Sequence, residues 1–169
     1  CLAQMVEDNT AGARVAIVLR DEDVLRLASA HRLDPRLVDV LDHSSAWQWS
    51  GAVRSALLGP RTVSTDLDDA GVSSATREVL AELGIAAFTA IPIVQESDTD
   101  HASGVLLVLL ERERRLEHHE ETVAANAARL AAIAVQRHRA ELRLSYLAHH
   151  DKLTGLPNRS LAEDRVRHA

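Results

Sequence analysis

Apolar and polar positions alternate along this chain in blocks, and the blocks switch between two periods. Residues 13–20, Ala-Arg-Val-Ala-Ile-Val-Leu-Arg, form an apolar run of strand length entered through Gly12. The polar Asp21-Glu22-Asp23 predicts a hairpin turn, and Val24 to His31 alternates as the partner strand. Pro35 opens a short helical stretch, Arg36 to Leu41, because a proline suits the first helical turn. Ser50 to Gly59 predicts a helix closed by Gly59, with Pro60 preventing its continuation. Thr62 to Leu67 is a brief strand, and Ser73 or Ser74 caps a helix that runs to Leu83 and stops at Gly84. Two further strands follow, Ala87 to Val94 and Gly104 to Glu111, joined by a polar loop from Gln95 to His101. Pro92 removes one ladder donor and predicts a strand edge, end or bulge.

From Leu116 the chain is rich in Ala, Glu, Arg and Leu, with no Gly or Pro until Gly155, which predicts one long helix. Steps of three and four residues along it select Val123, Asn126, Leu130, Ile133, Arg137, Ala140, Leu144 and Leu147. Most of these are apolar, the pattern of a two-stranded coiled-coil seam, with Asn126 and Arg137 as polar interruptions that fix register. Over residues 120–135 the apolar face is expected to pack on the chain's own sheet, and beyond Arg137 on a second copy. The whole order predicts an α+β fold: an antiparallel sheet of five or six strands flanked by helices, opening on a helix end and ending in a long connector helix.

Composition narrows the function classes. A net charge of −6 with scattered acidic residues argues against a phosphate-tracking nucleic-acid surface. The single cysteine, Cys1, excludes an internal disulfide and a cysteine-based zinc site, and it suits a reducing cytoplasm. The longest apolar run, Val105 to Leu110, is far short of the roughly 18 residues of a membrane helix. Aromatics are scarce: Trp47, Trp49, Phe88 and Tyr146.

Two resemblances add to this reading. The run His149-His150-Asp151-Lys152-Leu153-Thr154-Gly155-Leu156-Pro157-Asn158-Arg159 resembles the opening signature of the GGDEF domain, the catalytic module of diguanylate cyclases. The segments Val15–Arg20, Ser50-Gly51-Ala52, Gly59-Pro60-Arg61-Thr62-Val63, Thr89-Ala90-Ile91-Pro92-Ile93 and Gly104-Val105-Leu106 together resemble a GAF domain. The resemblances imply a sensory GAF domain over residues 1–136, a coiled-coil linker over 137–148 and the start of a GGDEF domain over 149–169. They imply a longer parent, a diguanylate cyclase using Mg and two GTP to make cyclic di-GMP, alone or combined with an EAL phosphodiesterase domain. The nucleotide-holding Gly-Gly-[Asp/Glu]-Glu-Phe turn and the metal-binding segment are not in this sequence, so residues 1–169 are expected to be catalytically inactive. Asp151, Leu153, Thr154, Gly155, Leu156, Pro157, Asn158 and Arg159 then have a structural role as caps and turn formers.

Other candidate chemistry is weaker. The adjacent pairs His118-His119 and His149-His150 diverge by about 100° on a helix and share one metal ion poorly, so solvated histidines are expected. No residue stands out as a haem axial ligand, and a covalent bilin needs a pocket cysteine where only Cys1 exists. Trp47 and Trp49, two apart, face one side of an extended segment. With Phe88, Thr89 and Ile91 they are expected either to line an effector pocket or simply to close the core. A histidine kinase is an alternative output, although Leu-Thr-Gly after Asp151-Lys152 does not suit a phosphoacceptor helix. A ligand-free dimerisation module is the alternative from another class. The expected partners are a second copy, the following GGDEF domain and an unknown small-molecule effector.

Overall fold

The computed structural model describes residues 1–21, 24–41, 50–59, 61–68, 71–95 and 101–149. Two units emerge, residues 1–132 and residues 133–169. The first holds a five-stranded antiparallel sheet in the order β2-β1-β5-β4-β3. Its strands are β1 (Ala13–Asp21), β2 (Val24–His31), β3 (Val63–Asp66), β4 (Ala87–Ile93) and β5 (Gly104–Leu110). The helices are α1 (Leu2–Asp8), α2 (Pro35–Leu41), α3 (Gly51–Leu58), α4 (Ser74–Glu82) and α5 (His118–His149).

The apolar run 105–110 becomes the central strand, and every residue of β5 is buried. Such a strand is covered on both faces and so needs no alternation. One apolar layer contains Val18, Leu107 and Leu109 with Leu37, Val53 and Leu80 from α2, α3 and α4. The other contains Val15, Leu106 and Val108 with Ala3 and Val6 of α1 and the alanines of α5. Each fully buried Leu, Ile or Val side chain contributes about 1.5–3 kcal/mol.

Local chemistry sets the ends. Ser73, not Ser74, caps α4: its hydroxyl accepts the Thr76 N–H at 3.2 Å. The helix closes on Gly84 at φ 71°, and the Ile85 N–H returns to the Leu80 carbonyl at 2.9 Å. Ser50 caps α3 by accepting from Ala52 N–H at 3.1 Å, and is itself buried. Asp34 accepts the Arg36 N–H at 2.9 Å at the start of α2. Its carboxyl is held below the usual range by the Arg36 guanidinium and backbone.

Pro92 sits on an inner strand, yet β3 pairs with β4 only from Ala87 to Ala90. The missing donor is therefore beyond the reach of β3, on a locally open stretch. Gly104 pairs with Leu19 of β1 and Ile93 of β4. A side chain there would press on the Val18 carbonyl oxygen and come within 2.9 Å of the Leu19 Cα, so the close approach of β1 requires glycine.

Candidate functional site

Of the expected pocket residues, Phe88 and Ile91 face opposite sides of the sheet. Phe88 is buried in the layer beneath α2, α3 and α4, whereas Ile91 lies in the layer beneath α1 and α5. Successive strand residues point to opposite faces, so β4 cannot present Phe88 and Ile91 to one cavity. Thr89 shares the parity of Ile91, and its hydroxyl meets that of Ser64 on β3 at 2.9 Å. Trp47 and Trp49 lie outside the described residues, as does the run from His150 to Arg159; of His149 only the backbone is described.

The expectation for α5 is corrected in one respect. The face it lays on the sheet is made of Ala124, Ala127, Ala128, Ala131 and Ala132, all buried. Val123 packs at the margin of that layer, Asn126 is exposed, and Leu130 is 49% exposed. Alanine repeating at three and four residues is as regular as the Leu/Ile row, but its smaller methyls made the row the louder signal in the sequence. In the second unit Ile133, Leu144 and Leu147 are exposed by 61, 67 and 38%, and Ala140 is also exposed. Arg137 donates to Glu141 at 2.8 Å along its own helix.

Clefts among the described residues of the first unit include two at helix ends and flanks. One, of about 390 Å³, runs along α4 past Val72, Ser74, Arg77, Glu78 and Ala81. The other, of about 340 Å³, lies at the entry to α5 and is lined by Ala11, Gly12, Glu111, Arg112, Arg114, Glu117 and Glu120. There Arg114 donates to both carboxylate oxygens of Glu120, at 2.6 and 3.0 Å, and to the Ala11 carbonyl at 3.0 Å. Glu120 also accepts the Glu117 N–H at 2.8 Å, the reach-back of a helix-capping carboxylate. Hydrogen bonding to Arg114 holds the Glu120 carboxyl below its ordinary value, against the opposing effect of burial, and raises Arg114 in turn. Sequence reading missed this pair; the cue was a carboxylate in the first turn of a helix following an arginine-rich turn.

Toward the β2 edge of the sheet, Glu7 of α1 accepts the Val15 N–H at 2.8 Å and meets His31 Nδ1 at 2.7 Å. His118, His119 and His138 are exposed. Among the described residues no three of His, Cys, Asp and Glu are grouped to hold a metal ion, and no helix is long and apolar enough to cross a membrane.

The fold recurs in solved structures. A domain described as coming from a two-component sensor histidine kinase of Sinorhizobium meliloti 1021 superposes with a TM-score of 0.66 at 24% identity, covering 85% of this chain and 92% of that one. A GAF domain/HD domain protein from Geobacter sulfurreducens gives 0.67 at 13% identity, covering 82% and 90%. The blue-light-absorbing form of the Thermosynechococcus elongatus PixJ GAF domain gives 0.61 at 21%, covering 89% and 90%. These identities establish a shared fold. No curated protein matches the chain. The GAF domain family model matches residues 2–135, spanning the whole sheet and the first turns of α5, and the chain belongs to the GAF domain family.

Proposed function

We propose that this chain is the regulatory input domain of a cytoplasmic signalling protein, dimerising through α5 and governing a catalytic domain that follows. The observation that carries this reading is the uncovered apolar row at Leu130, Ile133, Leu144 and Leu147. Steps of three, eleven and three residues keep it on one seam of a heptad, with Arg137 and Ala140 between. A second copy of the chain supplies the matching row. The signature from His149 to Arg159 supports a diguanylate cyclase as the output, one GTP and its Mg being held by each domain of a pair. In this reading residues 1–169 perform no chemistry. They set how the two catalytic domains meet, and a small effector acts by binding one arrangement better than the other.

The test is sedimentation equilibrium on the purified chain and on the Ile133→Glu/Leu144→Glu double variant. A wild-type dimer at micromolar concentration and a folded monomeric variant are expected, because paired glutamates at seam positions repel. A monomeric wild type would sink the reading. Native mass spectrometry of the same sample separates a sensor carrying an extra mass from a ligand-free dimerisation module. The similarity to the Sinorhizobium meliloti domain favours a second reading, a histidine kinase as the output. Assaying a longer chain for cyclic di-GMP formation against histidine phosphorylation decides between them.

A further inference from the structure

Within the second unit, Ile133, Arg137, Ala140 and Leu144 follow at steps of four, three and four along α5, and all four are exposed. Their order along the row is large, charged, small, large. Arg137 donates its Nε–H to Glu141 of the same helix at 2.8 Å, which draws the charge off the row and leaves the aliphatic stem on it. Set beside a second copy in the same direction and in register, the row opposes Arg137 to Arg137 and Ala140 to Ala140. The first layer brings like charges together, and the second leaves two methyl groups facing across a gap. Set beside a second copy in the opposite direction, with Arg137 facing Ala140, the row fills evenly. Large then meets small in both central layers, and Ile133 meets Leu144 on either side of them. The same register carries Leu147 to Leu130, so apolar pairs close the row at both ends. Glu141 follows Ala140 directly, which gives each Arg137 a carboxylate of the other copy beside the methyl it covers.

We propose that two copies of this chain pair antiparallel along this row, with Arg137 as the residue that sets the direction. The pairing rests on the dimerisation given above and adds its direction, which that reading leaves open. Domains that follow His149 then leave from opposite ends of the pair. The antiparallel pair is thus the restrained arrangement of the regulation, in which two catalytic domains are held apart.

The experiment removes the native thiol by Cys1→Ser and adds single cysteines, Ile133→Cys in one chain and Leu144→Cys in another. Each is oxidised alone and after unfolding and refolding as a mixture, and the disulfides are identified by mass spectrometry. A disulfide needs Cα atoms within about 7 Å. In the antiparallel pair position 133 lies about 16 Å along the axis from its own counterpart, at 1.5 Å per residue. Mixed 133–144 disulfides are therefore expected in about tenfold excess over 133–133 and 144–144 products. Same-site disulfides in both chains, without the mixed product, would overturn the direction and leave the dimer standing. A sedimenting dimer that forms none of the three would overturn the row as its seam. A monomer would sink the dimerisation reading, and the direction with it. Adding Arg137→Leu to the Ile133→Cys chain removes the opposed like charges, so 133–133 disulfides are expected to appear. Their absence, with the mixed product retained, would overturn the role given to Arg137.

Discussion

At the scale of single residues, Gly104 is tightly enclosed by main-chain atoms. Its Cα faces the backbone of β1 so closely that any Cβ meets the Val18 carbonyl and the Leu19 Cα, which are main-chain atoms and cannot swing aside. Gly104→Ala is expected to destabilise the domain by about 1–3 kcal/mol, the range for overpacking a tight interior. Urea unfolding of the purified variant measures it; an unchanged midpoint would show that β1 yields. Glu120 gives a second residue-scale expectation, in pH. Its folded-state carboxyl lies below the ordinary value of 4.5, chiefly through Arg114, so its contribution is complete above that value and is lost as pH falls through the folded one. The thermal midpoint of wild type should therefore exceed that of Glu120→Gln by a constant margin from neutrality down to about pH 5. Below that the margin should shrink. A margin that grew with acid would contradict the sign.

At the scale of elements, the sequence carried most of the architecture. The five strands were legible because each is an apolar run bounded by polar turns, and β1–β2 closes at Asp21↔Val24 where the acidic turn predicts it. The choice between Ser73 and Ser74 was not legible, since both offer a hydroxyl and only the geometry shows which one meets Thr76 N–H. Pro92 read as a strand edge, end or bulge, and it stands one residue from the end of β4, where β3 does not reach. The division of the three strand residues of the expected pocket has a simpler reason. Phe88, Thr89 and Ile91 are close in sequence, but a strand's two-residue period divides them between its faces. The exposed row of α5 was legible as a heptad, while the alanine face was hidden by its small side chains. A break in this helix is the natural element-level test of coupling. Ala140→Pro removes a backbone donor and clashes with the preceding turn, costing about 3 kcal/mol locally. In a longer chain carrying the catalytic domain it is expected to abolish regulated output while leaving residues 1–132 folded, as near-normal far-ultraviolet dichroism would report. Retained regulation would refute coupling through α5.

At the scale of the whole molecule, the strand order has a consequence for how the chain is made. The strand at the centre of the sheet, β5, is the last of the five to be synthesised, and it separates β1–β2 from β4–β3. Ala16 finds its partner Leu107 only when nearly all of the first unit has left the ribosome. Until then the nascent chain carries two strand pairs, β1–β2 and β3–β4, each with a hydrogen-bonding edge bare toward the missing strand. Pairing across so long a separation in sequence is slow, because loop closure precedes any gain from contact. The alanine seat of α5 is itself partly built from Leu106 and Val108. The terminal helix therefore cannot dock on an incomplete sheet.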